Sequence, residues 1–184
     1  MNEFKLIPFP TQALLPKLEL SGRIDRQNEL LSIEYQLQGD LAILLTSGST
    51  NAIDPPKALP SRKFELWEAT CFEFFIGIPG NSNYWEFNLA PNGDWNVFHL
   101  DDYRQGLQNE LAFVTLPFEI DRQANSLLLT LIFDLNKIIP PERPLEISVT
   151  TVIKSQQHEM SYWALTHPGT EPDFHRRDSF IIKI

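Results

Sequence analysis

Short stretches of alternating apolar and polar residues, each closed by turn-forming residues, most constrain the fold of this chain. Residues 31–37 read L-S-I-E-Y-Q-L, which places every second side chain on one apolar face. This period of two is typical of a half-buried β-strand. Further runs of strand length follow at 66–78, 84–89, 95–100 and 126–133. No stretch with helical periodicity extends beyond two turns, so the sequence predicts an all-β protein.

Turn signals separate these runs at the spacing of β-hairpins. The Pro91-Asn92-Gly93-Asp94 segment contains Asn-Gly, a strong short-range hairpin signal. We expect about nine to eleven strands in one antiparallel β-sandwich domain over residues 1–184. The expected elements also include strands at 41–45, 113–120 and 180–184, hairpins around 121–125 and 156–157, a helical turn within 134–139 and a proline-rich loop at 51–61.

Composition and charge exclude several classes of function. Lys and Arg total 15 against 24 Asp and Glu, which gives a formal net charge of −9. Nucleic acids and anionic membranes attract the opposite charge, so neither is an expected partner. The single cysteine, Cys71, permits no internal disulfide, and its apolar neighbours indicate an inert buried thiol. No signal-peptide or membrane-helix pattern is present, and we expect a cytoplasmic protein.

Strand parity predicts a cluster of polar and aromatic side chains on one sheet face. If the Phe residues at 72, 74 and 87 point into the core, four side chains share the opposite face: Trp67, Glu73, Glu86 and Asn88. An indole stacks on the C–H face of a sugar ring, and carboxylates and amides bind hydroxyls. Two carboxylates disfavour an anionic ligand. The alternative is that both glutamates pair with basic residues on neighbouring strands and that Trp67 covers a sheet edge.

The remaining polar residues do not form a recognisable catalytic or metal site. His167, Asp173 and His175 are chemically adequate metal ligands, but they lack the fixed spacing of a zinc signature. The chain has no nucleophile elbow and no phosphate-binding glycine-rich loop. Glu73 and Glu86 could imitate a glycosidase carboxylate pair, although many non-catalytic sheets also carry two carboxylates. We therefore predict no catalytic residue, no metal and no cofactor.

Two long segments carry a resemblance to a known family. Residues 66–75, L-W-E-A-T-C-F-E-F-F, and residues 84–96, Y-W-E-F-N-L-A-P-N-G-D-W-N, resemble the bacterial DOMON-like proteins, which are relatives of the family 9 carbohydrate-binding modules. Residues 162–165, residues 172–175 and the final strand are similar as well. The resemblance covers the chain from about residue 30 onward and implies a jelly-roll-like sandwich with a ligand site on one concave sheet.

The resemblance also implies roles for individual residues. In the sugar-binding relatives two Trp rings clamp a sugar ring, assisted by an acidic residue, an Arg and an Asn. Trp67 and Glu73 match the first Trp and the acid, and Asn88 matches the Asn. The relatives carry their Arg two residues before that Asn, where this chain has Glu86.

The second stacking Trp is best matched by Trp163, with His175 as the other candidate. Together these residues predict a non-catalytic module that binds a carbohydrate or a similar neutral polar small molecule. Haem-binding relatives use an axial Met and His, so one alternative is a b-type haem module in which Met160 pairs with His99, His167 or His175. Another alternative is a protein–protein interaction domain whose aromatic face docks a partner.

Overall fold

The computed structural model describes residues 1–10, 18–46 and 60–184, and this part of the chain is almost entirely β-structure. Its strands are β1 (Asn2–Pro8), β2 (Glu19–Gln27), β3 (Leu30–Gln38), β4 (Cys71–Gly77), β5 (Tyr84–Leu89), β6 (Trp95–Leu100), β7 (Gln108–Asn109), β8 (Phe118–Arg122), β9 (Ser126–Asp134), β10 (Glu146–Lys154), β11 (Met160–Ala164) and β12 (Ile182–Lys183). Short 3-10 turns lie at Leu41–Ile43, Leu66–Glu68, Leu135–Lys137 and Arg177–Ser179. Among the described residues no helix is long and apolar enough to span a membrane.

The strands form a continuous antiparallel sheet that curls over into two layers. Their order is β7-β6-β5-β4-β10-β11-β1-β2-β3-β9-β8, and β12 pairs with β10. Strand β1 belongs to both layers, because residues 2–6 pair with β2 while Ile7 and Pro8 pair with β11. The two layers pack face to face around a common interior. The predicted all-β antiparallel sandwich is therefore confirmed.

Aromatic side chains from both layers fill the interior. Phe74 of β4 and Phe87 of β5 stack with ring centroids 4.4 Å apart, and Phe133 of β9 lies 4.8 Å from Phe87. Phe72 and Leu89 join the same cluster, as strand parity predicted. Burying each such side chain stabilises the fold by about 1.5–3 kcal/mol. Because these residues point inward, the alternate residues of β4 and β5 form the outer face of this layer.

A second, smaller cluster covers that outer face, which is why every residue of β4 and β5 is buried. The C-terminal segment packs over it, with Phe180 5.9 Å from Phe75 and 5.8 Å from Tyr84 between ring centroids. Phe98 and Leu100 of β6 complete the cluster. The cover converts part of an open sheet face into the floor of a pocket.

Four predicted strands differ in the structure, and one of them, expected at 66–78, begins only at Cys71, after the 3-10 turn Leu66–Glu68. Residues 41–45 were expected to be a strand, but they begin with a 3-10 turn because the Asp40 side chain accepts a hydrogen bond from the Ala42 N–H at 3.0 Å. The strand expected at 113–120 begins only at Phe118, directly after Pro117, which has no N–H to donate. The final strand is limited to Ile182–Lys183. Most of the expected loop at 51–61 lies outside the described residues.

Gly22 of β2 lies against a neighbouring strand with no room for a side chain. A Cβ atom at this position would lie 1.9 Å from the carbonyl oxygen of Glu34 and 2.5 Å from the Phe4 ring. Because Glu34 contributes a backbone atom, the strands would have to shift. We expect Gly22→Ala to lower the free energy of unfolding by about 2–3 kcal/mol, measured by urea denaturation.

Gly80→Ala is the matched control for this prediction. Gly80 has a φ of +84°, and a Cβ atom added there would meet open space, with no contact within 4 Å. Its alanine variant therefore carries only backbone strain, which costs about 1–2 kcal/mol. Equal losses for the two variants would contradict the steric account of Gly22.

Candidate functional site

A pocket of about 570 Å³ opens on the outer face of β4, β5, β10 and β11. This volume lies within the range of about 300–1,000 Å³ that is typical of small-molecule sites. Glu73 and Glu86 line its floor, and Arg104 and His175 approach from the segments that cover the sheet. The pocket thus combines titratable groups from two adjacent strands and two irregular segments.

Three aromatic rings form apolar walls around this floor. Trp67 comes from the 3-10 turn before β4, is half-buried, and packs edge-on against Phe98 with centroids 5.8 Å apart. Tyr162 of β11 and Phe174 of the C-terminal segment pack against each other at 6.0 Å. All three wall residues border the pocket. They offer ring surface to a ligand that has apolar faces as well as polar groups.

Glu73 is a buried carboxyl group with an unsatisfied oxygen atom. Its side chain is 3% exposed, its Oε2 lies 3.5 Å from the Thr150 hydroxyl, and its Oε1 has no hydrogen-bond partner among the described residues. The Tyr35 hydroxyl fixes the backbone here by donating to the Glu73 carbonyl at 2.6 Å. Burial, followed by the charge of Glu86, raises the pKa of Glu73 well above its usual range. Both effects favour the protonated form of the Glu73 carboxyl group.

Glu86 is 4% exposed and held in a fixed orientation from behind. The Asn88 side-chain amide donates to Glu86 Oε1 at 2.7 Å, and the Cys71 thiol donates to Asn88 Oδ1 at 3.5 Å. Burial raises the pKa of Glu86 to about 7, although the Asn88 hydrogen bond opposes this shift. Glu86 consequently changes its charge near neutral pH.

His175 faces Glu86 across the pocket floor. Its Nε2 lies 3.9 Å from Glu86 Oε2, and its Nδ1 lies 2.8 Å from the Tyr84 hydroxyl. Burial, and then the charge of Arg104, lower the pKa of His175 to about 4. The imidazole is therefore neutral at pH 7, and its approach to Glu86 is not an ion pair.

The charge of Arg104 at the pocket rim is already partnered. Its guanidinium binds Asp173 Oδ1 at 2.9 Å, and the Tyr103 hydroxyl donates to Asp173 Oδ2 at 2.6 Å. These bonds tie the segment after β6 to the C-terminal segment. No lysine or arginine of the described residues forms an ion pair with Glu73 or Glu86. The described part of the chain thus gives no support to the alternative in which both glutamates pair with basic residues on neighbouring strands.

The structure brings four of the six predicted site residues to the pocket: Trp67, Glu73, Glu86 and His175. Asn88 is fully buried behind Glu86 and orients it rather than lining the pocket. Trp163 is 8% exposed and packs in the sandwich interior, where its indole N–H donates to Ser161 at 2.9 Å. The expectation that Trp163 faces the site is wrong because side chains alternate along β11, which turns Tyr162 to the pocket instead.

Sequence reasoning missed eight of the twelve residues that line the pocket, among them Tyr162, Arg104 and Phe174. Parity along β11 could have identified Tyr162, since Ser161 and Trp163 share the inward face. Arg104 and Phe174 come from irregular segments without a periodic signal. Of the residues considered for haem, only His175 borders the pocket; His99, His167 and Met160 do not. No group of three or more His, Cys, Asp or Glu in the described ranges is arranged to hold a metal ion.

The shifted pKa values of Glu86, Glu73 and His175 predict how the stability of the fold depends on pH. The pKa of Glu86 rises on folding from 4.5 to about 7, so the folded state binds the extra proton and stability falls as pH rises through this window. Glu73 acts in the same direction. The pKa of His175 falls from 6.5 to about 4, so it acts in the opposite sense, but only below pH 6.5.

Above pH 6.5 the effect of the two glutamates remains, so we expect the melting temperature to fall between pH 6.5 and about pH 8. Differential scanning calorimetry of the wild type and of Glu86→Gln measures this. Because glutamine does not titrate, the variant should lose part of the decline. An equally steep decline in both proteins would show that Glu86 is not responsible.

Comparison with known proteins identifies structures of the same fold. No protein-family model and no curated protein matches the chain. A "putative carbohydrate-binding protein" from Bacteroides uniformis superimposes with a TM-score of 0.60 at 12% identity, covering 96% of this chain and 84% of that chain. A family 9 carbohydrate-binding module from Caldicellulosiruptor kristjanssonii, solved with cellotriose, has a TM-score of 0.51 at 5% identity and covers 91% of this chain and 75% of its own. At these identities the likeness establishes the fold.

Proposed function

We propose that this chain is a non-catalytic carbohydrate-binding module whose pocket binds a neutral sugar. The observation that carries the proposal is the pocket floor, where the buried Glu73 and Glu86 carboxyl groups lie below walls made of three aromatic rings and Glu73 Oε1 has no hydrogen-bond partner among the described residues. A buried polar atom without a partner is costly to the folded protein. A ligand hydroxyl that forms a hydrogen bond with the Glu73 carboxyl group would remove this cost.

The aromatic walls suit the C–H faces of a sugar ring. Sugars present C–H groups on their ring faces and hydroxyls at their edges, and sites for such ligands combine aromatic surface with a few placed polar groups. Trp67, Tyr162 and Phe174 supply the aromatic surface, and Glu73 and Glu86 supply hydrogen-bonding oxygens. The two similar folds described as carbohydrate-binding support the same ligand class.

The charge of the pocket favours a neutral sugar over an acidic one. Glu86 carries a negative charge in part of the molecules at pH 7, and the Arg104 guanidinium is engaged by Asp173. An anionic ligand would therefore meet repulsion from Glu86, and Arg104, the one Lys or Arg among the described residues that border the pocket, already binds Asp173.

Isothermal titration calorimetry with glucose, cellobiose, cellotriose and a wider panel of neutral sugars tests this proposal. We expect saturable binding of at least one neutral sugar with one site per chain. Glucuronic acid is the matched anionic counterpart of glucose and should bind at least about tenfold more weakly. If no neutral sugar binds to the folded protein, the proposed function is wrong.

A further inference from the structure

The hydroxyl of Tyr84 forms two hydrogen bonds in a fully buried position. The backbone N–H of Arg104 donates to this hydroxyl at 3.3 Å, and His175 Nδ1 lies 2.8 Å away on its other side. A hydroxyl has one hydrogen to donate and accepts through its lone pairs. Burial also raises the pKa of Tyr84 to about 12, so the group keeps its hydrogen at neutral pH.

These contacts assign the tautomer of His175. If His175 carried its hydrogen on Nδ1, the Tyr84 oxygen would accept twice and its own hydrogen would be buried without an acceptor. Leaving a buried donor unsatisfied costs about 1–3 kcal/mol. The favoured arrangement has Tyr84 donating to Nδ1, which places the imidazole hydrogen on Nε2. That nitrogen faces Glu86 Oε2.

His175 Nε2 and Glu86 Oε2 are spaced to hold a third group between them. The two atoms lie 3.9 Å apart, which is too far for a direct hydrogen bond. Both residues border the pocket, and Glu86 Oε1 is already occupied by the Asn88 amide. An oxygen atom at about 2.8 Å from each atom would accept from the imidazole N–H and donate to the carboxylate.

We propose that Tyr84 is a positioning residue that turns the His175 Nε2–H into the pocket, so that His175 and Glu86 together clamp one hydroxyl of the ligand. This inference rests on the proposed carbohydrate function. A free hydroxyl both accepts and donates, whereas a fluorine or an ether oxygen only accepts and an ammonium group only donates. The clamp therefore selects a sugar with a free hydroxyl at this position over its fluoro, O-methyl or amino analogue.

The tautomer can be measured without any ligand. Long-range ¹H–¹⁵N spectra of the histidine rings should show His175 protonated on Nε2 in the wild type, with the signals assigned from a His175→Gln variant. Tyr84→Phe keeps the ring and removes the hydroxyl, and it should give a mixture of both tautomers. Tyr103→Phe removes a hydroxyl that binds Asp173 instead, and it should leave His175 protonated on Nε2. A wild-type His175 protonated on Nδ1 would overturn the proposal.

The clamp is then tested with the neutral sugar that binds most tightly in the panel and with its monofluoro analogues. We expect replacement of one particular hydroxyl by fluorine to weaken wild-type binding about tenfold. Tyr84→Phe should weaken binding of the parent sugar about fivefold to tenfold and should reduce the penalty of that fluorine. Equal affinities of the variant and the wild type would overturn the clamp while leaving carbohydrate binding intact. If no sugar binds at all, the proposed function fails together with the clamp, even where the His175 spectra agree with the assigned tautomer.

Discussion

Replacing Glu73 by leucine is expected to stabilise the protein and to abolish ligand binding. The Glu73 carboxyl group is buried, and one of its oxygen atoms has no partner among the described residues. An apolar side chain of similar size removes the cost of burying that group, so we expect the free energy of unfolding to rise by about 1–3 kcal/mol. The same change removes the hydrogen-bond acceptor on the pocket floor. If Glu73→Leu raises the stability and abolishes binding, Glu73 serves ligand binding rather than folding.

Urea denaturation near neutral pH and calorimetric titration with the panel of neutral sugars measure the two effects. Glu110→Leu is the control, because Glu110 is a satisfied carboxylate that accepts from the Trp85 indole at 3.0 Å and from the Ala112 N–H at 2.9 Å. Its loss should destabilise the protein by about 1–3 kcal/mol. If Glu73→Leu is destabilising by a similar amount, Glu73 has a structural role and the interpretation of the pocket floor is wrong.

The two tryptophans considered for stacking should respond to substitution in opposite ways. Trp67 is half-buried at the pocket wall, so Trp67→Ala should weaken sugar binding at least about tenfold and lower the free energy of unfolding by only about 1 kcal/mol. Trp163 is buried in the sandwich interior. Trp163→Ala should cost about 3–5 kcal/mol of stability.

The milder variant Trp163→Phe separates folding from binding. It keeps an aromatic ring in the core and should stay folded with unchanged sugar affinity, because Trp163 does not border the pocket. Titration calorimetry and thermal melts of the three variants check this. Loss of affinity in a folded Trp163→Phe, with full affinity in Trp67→Ala, would place the site elsewhere.

Strand periodicity made the floor of the pocket predictable. Because side chains alternate strictly along β4 and β5, assigning the phenylalanines to the core also placed Glu73 and Glu86 on the opposite face. Parity assigns a side chain to one face of the sheet but does not show whether that side chain reaches the pocket. Asn88 is on the same face as Glu86, but it lies behind Glu86 and donates a hydrogen bond to it. Alternation along β11 turns Trp163 into the interior, so this residue, which the family resemblance matched to the site, does not border the pocket.

The cover of the pocket could not be predicted in this way. Arg104 and Phe174 belong to irregular segments, whose positions depend on contacts between distant parts of the chain. The bonds from Arg104 and Tyr103 to Asp173 span about 70 residues of sequence. No local period encodes such contacts, so the sequence indicated a site on a concave sheet but not the segments that cover it.

The indole N–H signals in a ¹H–¹⁵N spectrum test the central claim most directly, since each of the 4 tryptophans gives its own signal. During titration with a neutral sugar, the Trp67 signal, assigned from a Trp67→Phe variant, should shift in a saturable manner. The Trp163 signal should stay in place. A pocket that binds sugar against Trp67 predicts this pattern, and a spectrum unchanged by every neutral sugar, or a shift of Trp163 alone, would contradict it.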